Sequence, residues 1–93
     1  MNLDELRKEI DKTDREIVDA FVRRMKISGE IAEYKKLHEI PAFDSEREKQ
    51  KLDEVRQLSE DEFSGYVKNL YAGIFKLSRD YQQSLMDGEG ESK

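Results

Sequence analysis

Arg24 and Lys35 are the first residues whose placement suggests chemistry, because both stand inside a stripe of apolar residues. Eleven positions apart on a helix, they share an azimuth to about 20° and lie about 16 Å apart along the axis. Cations that need only water rarely occupy such positions, and the pair suits an anionic small ligand if the fold clusters them. Further along, Asp44, Arg47 and Glu48 open a second charged stretch, and Ser78 and Gln82 stand four apart beside Leu77, Tyr81 and Leu85. Each has a plainer reading. Glu48 can complete a capping box with Ser45, Arg47 can pair with Glu54, and Ser78 and Gln82 can mark the edge of a helix face.

Much other chemistry is excluded. The chain has no cysteine, which removes disulfides, thiolate nucleophiles and Cys-based zinc sites. His38 is the single histidine and falls near the end of the first helical stretch, where it favours the helix dipole more readily than it serves acid-base chemistry. No metal and no cofactor are expected. Twenty-two acidic residues against 17 basic ones give a net charge of -5, which argues against a nucleic-acid partner. No apolar run approaches the roughly 20 residues that span a bilayer, and the first residues show no signal-peptide pattern, so a cytoplasmic location without membrane attachment is expected.

The elements that must position these residues are helical. From residue 4 to residue 37 no proline interrupts the chain, and Leu6, Ile10, Thr13, Ile17, Ala20, Phe21, Ile27, Ser28 and Ile31 fall on one broad stripe, expected to be the core face. Asn2 or Asp4 can cap this helix, and it is expected to run out at Leu37 to Glu39, before Ile40-Pro41 forces an extended conformation. A second helix starts at Asp44 or Ser45, with Leu52, Val55 and Leu58 as its apolar edge. The same capping pattern recurs from Ser59 to Glu62, ahead of a third helix with Phe63, Tyr66, Val67, Leu70, Ile74, Leu77, Tyr81 and Leu85 at helical spacing. Gly73 within it marks either a close crossing or simple tolerance. Residues 87–93 have no apolar side chain and read as a disordered tail or the remnant of a linker, leaving one domain over residues 1–86.

Length carries a further expectation. A helix of about 34 residues spans about 51 Å, whereas a compact chain of this size has a radius of gyration of about 12 Å. With only 35% hydrophobic residues, the chain has little apolar surface to offset its conformational entropy. The fold class expected is therefore all-α, with one long, one short and one medium helix forming an intertwined homodimer.

Taken together and in order, Leu6-Arg7-Lys8-Glu9-Ile10-Asp11, Arg24, Lys35, Asp44-Ser45-Glu46-Arg47-Glu48, Ser78 and Gln82 resemble the all-helical chorismate mutases over residues 3–86. No single piece is specific; the ordered set is. The resemblance implies a chorismate site in which Arg24 of one subunit and Arg7 of the other hold the two carboxylates, with Ser78 assisting. It places Lys35 and Gln82 on the ether oxygen, Glu48 and the Asp44 backbone on the ring hydroxyl, and Arg47 in the polar wall. Arg24, Lys35, Glu48 and Gln82 would be the catalytic set. Lys35 would find its compensating charge in Glu48.

The residue set suits that reaction. Rearranging chorismate to prephenate is intramolecular and needs no nucleophile, metal or proton transfer; it needs the enolpyruvyl arm held over the ring and donors at the ether oxygen as negative charge develops there. Two rivals remain open. An isochorismate pyruvate-lyase would release pyruvate from an isomeric substrate, and a non-catalytic dimerisation module would bury Arg24 and Lys35 in ion pairs with Glu48 or Asp14.

Overall fold

The computed structural model describes residues 2–88. Helix α1 runs Leu3–Leu37, α2 Ser45–Leu58 and α3 Ser64–Met86, with a short 3-10 turn at Asp61–Phe63 before α3. The described residues are all-α, in three helices of the expected relative lengths.

Asn2 caps α1, its side-chain oxygen accepting from the Glu5 N–H at 2.9 Å, and Asp4, Glu5, Lys35 and Lys36 place charge at each end as the helix dipole favours. The other end closes before Pro41 acts. Ile40 N–H donates to the Lys35 carbonyl at 2.8 Å and Glu39 N–H to Lys36 at 3.4 Å, a Schellman motif with Glu39 in the left-handed region at φ 56°. His38, at the C-cap, donates from Nδ1 to the Tyr34 carbonyl at 2.8 Å and stacks on the Tyr34 ring, as suits a residue that finishes a helix.

Asp44 caps α2, with Oδ1 accepting from Arg47 N–H at 3.0 Å. The capping box expected between Ser45 and Glu48 therefore does not form: Ser45 is already helical, and the Glu48 carboxylate turns away to another helix. The box expected at Ser59 is also absent. Ser59 instead ends α2, its hydroxyl donating to the Arg56 and Glu60 carbonyls at 3.2 and 3.3 Å, and α3 starts five residues later without a side-chain cap.

α3 packs against both α1 and α2. A side-chain carbon at Gly29 would lie 3.3 Å from the Tyr81 ring, so this glycine lets α1 and α3 approach; around Gly73 there is open space, which resolves that position as tolerance within one chain. The residues of α3 divide by azimuth. Tyr66, Leu70, Leu77 and Tyr81 share an azimuth to about 60° and are exposed, Tyr66 by 73%, whereas Tyr71, Phe75, Ser78 and Gln82 fill the opposite side and carry the packing, with Phe75 at 5%. Between these sides Val67, Ile74 and Leu85 are half-buried, and the Tyr81 ring, though partly exposed, lies beside Gly29. On α2, Val55 is buried as expected and Leu58 is exposed by 83%.

The core within one chain is thin. Ala32, Ala42, Val55 and Phe75 are its buried apolar residues among those described, and every residue from Asn2 to Ala20 is exposed. Of the stripe expected on α1, only Ser28 is buried; Leu6, Ile10, Ile17, Ile27 and Ile31 are not. The dimensions, 53 × 32 × 14 Å with a radius of gyration of 16.4 Å, describe a single layer of helices with an overhanging α1. Asp87 and Gly88 complete the last turn of α3, and the rest of the expected tail, residues 89–93, lies outside the described residues.

Candidate active site

A cavity of about 510 Å³ opens where the C-terminal half of α1 faces the start of α2 and the middle of α3. That volume is in the usual range for small-molecule sites, about 300 to 1,000 Å³. Arg24, Lys35, Asp44, Arg47, Glu48, Ser78 and Gln82 all line it. Arg7 does not, because the unbroken α1 carries it about 25 Å along the axis from Arg24.

Each polar side chain is held. Arg24 donates from Nη1 to Ser78 Oγ at 3.0 Å, and its guanidinium lies 5.2 Å from the centroid of Phe75 and 5.9 Å from that of Tyr71, so two aromatic rings fix the plane of a potential carboxylate fork. Lys35 donates from Nζ to the buried Ala42's carbonyl at 3.0 Å, which spends one of three ammonium hydrogens and leaves two. Buried Gln82 donates from Nε2 to the Ser28 carbonyl at 3.1 Å, leaving one amide hydrogen. These donors are oriented before any ligand arrives.

The charge distribution is the reverse of the whole chain's. Arg24, Lys35, Arg47, Lys51 and Arg79 face Asp44 and Glu48 around the cavity, a surplus of three positive charges in a molecule of net charge -5. Such a pocket concentrates anions. Lys51 and Arg79 were missed by the sequence reading. Lys51 stands four residues after Arg47, and Arg79 four after Phe75, so the helical wheel put both near the inward faces while their charge suggested solvent. Glu48 does not compensate Lys35: it accepts from Arg79 at 2.7 Å. The ion pairs that a dimerisation module would need are also missing, since among the described residues neither Arg24 nor Lys35 forms a salt bridge with Glu48 or Asp14.

The sequence pattern of the chorismate mutase type II family matches residues 6–83. The chain belongs to that family. A chorismate mutase from Methanocaldococcus jannaschii is 31% identical over 83 residues, covering 89% of this chain and 82% of the relative. No solved structure is a significant match. The family inferred from the ordered motifs is thus borne out. Among the described residues no helix is long and apolar enough to cross a membrane.

Proposed function

We propose that this chorismate mutase family member, an isomerase, rearranges chorismate to prephenate in the phenylalanine and tyrosine branch of aromatic biosynthesis, and does so in the cavity described above. The convergence of Arg24, Lys35, Glu48, Ser78 and Gln82 from three helices on one cationic pocket is the observation that carries the reading. Arg24 takes a substrate carboxylate with Ser78 beside it. Lys35 and Gln82, each anchored by a backbone carbonyl, turn their remaining hydrogens to the ether oxygen as charge grows there during bond cleavage. Glu48 accepts from the ring hydroxyl, Asp44 assists through its backbone, and Arg47 closes the wall. Holding the enolpyruvyl arm over the ring supplies the remaining acceleration.

The working species in this reading is a homodimer in which Arg7 enters the partner's pocket. Supporting it, the chain exposes 7608 Å², against roughly 5,600 Å² for a compact monomer of 11.0 kDa. Exposed large apolar residues lie along the overhanging half of α1, Leu6, Ile10 and Ile17 among them, and on α3 at Tyr66, Leu70 and Leu77, surfaces that a second copy would cover. Loss of chorismate absorbance followed with the unaltered protein and with Arg24→Ala tests the activity. Turnover that falls at least a hundredfold in the variant is expected; pyruvate in place of prephenate would replace the reading with that of a lyase.

A further inference from the structure

Arg79 follows Ser78 and precedes Gln82 by three residues, yet none of the roles above employs it. Its Nη1 donates to Glu48 Oε1 at 2.7 Å, and its guanidinium lies 4.8 Å from the centroid of the Phe43 ring. Of the ion pairs among the described residues, this one alone joins two helices; Lys51 with Glu54 and Lys76 with Asp80 are pairs within a helix. It is also the least exposed, at 35% for Arg79 and 23% for Glu48. One side chain thereby ties α3 to α2 and to the segment between α1 and α2.

A carboxylate in the wall of a site for a dianion is an electrostatic problem, since it repels the ligand it is meant to orient. Arg79 answers it twice. Its charge offsets that of Glu48, and its hydrogen bond occupies Oε1, leaving Oε2 without a protein donor among the described residues. Lys35 is engaged by the Ala42 carbonyl, and Arg24 by Ser78, so neither has taken this task. We infer that Arg79 is a positioning residue that holds Glu48 in place and offsets its charge, so that Oε2 accepts the substrate's ring hydroxyl; the inference rests on the chorismate reading of the pocket.

A double-mutant cycle on the full chain, read as kcat and KM for chorismate, tests this. Arg79→Met should raise KM and lower kcat/KM by roughly 30-fold, Arg79→Lys should recover most of the loss, and in a Glu48→Gln background Arg79→Met should cost less than about threefold, because no carboxylate remains to hold or offset. An equal loss in both backgrounds would overturn the inference, since Arg79 would then act on substrate or fold independently of Glu48. So would an Arg79→Met protein of unchanged KM and kcat. If Arg79→Met loses its helical circular dichroism, Arg79→Gln, which keeps a polar side chain but removes the charge, carries the same cycle, with the same non-additivity required. An unaltered protein that leaves chorismate intact would bring down the functional reading and this role together, whereas an active protein with an additive cycle would remove only Arg79's role.

Discussion

Lys35 holds the Ala42 carbonyl with one ammonium hydrogen and has two left for a ligand, so its replacement touches both fold and rate. Lys35→Ala should cut turnover at least a hundredfold, the order of 3 to 4 kcal/mol expected for losing one oriented donor at a developing charge. It also strips a buried carbonyl of its partner, at about 1 to 3 kcal/mol of stability, so thermal unfolding should move down while circular dichroism at 25 °C stays helical. A mild rate effect would remove Lys35 from the mechanism. Gln82 tests the same oxygen differently. An ionised Gln82→Glu side chain would aim an acceptor at both the Ser28 carbonyl and the ether oxygen, and protonation would restore one donor for two acceptors. Activity of Gln82→Glu should therefore be low at pH 8 and recover in part as pH falls. A flat profile near the parental rate between about pH 5 and 8 would place Gln82 away from the ether oxygen.

Among the elements, α1 was the most legible, because 3.6-residue periodicity and the lack of proline define a long helix whatever surrounds it. The conformation that closes it was less so. The end fell at Leu37, within the expected Leu37 to Glu39, but what closes it is a reversal at Glu39, a residue that nothing in the pattern marks for a left-handed conformation. Because only glycine adopts φ 56° without cost, Glu39→Gly should stabilise the fold by about 1 kcal/mol, read from the midpoint of urea unfolding at constant m. Destabilisation would mean that the Glu39 side chain contributes something its exposed position does not suggest. The packed side of α3 was harder to read, because it includes Ser78 and Gln82, whose polarity is satisfied by Arg24 and a backbone carbonyl, while Tyr66, Leu70 and Leu77 on a more apolar side stay exposed. The pairing of Arg79 with Glu48 was invisible, since 31 residues separate the partners and periodicity carries no information across that distance.

For the whole molecule, the overhang was legible from length alone: α1 is longer than a globule of this size can cover, and residues 2–20 are exposed. In the proposed dimer the pocket of one chain is completed by Arg7 of another. Each single variant, Arg7→Ala or Arg24→Ala, should be nearly inactive, because every site lacks one carboxylate anchor. Mixed in equal amounts and allowed to exchange, half of the dimers become heterodimers in which one site has both arginines and the other has neither. Activity should then rise from near zero to about one quarter of that of the unaltered protein. Activity that stays at the level of the separate variants, after subunit exchange has been verified by mass, would contradict a shared site.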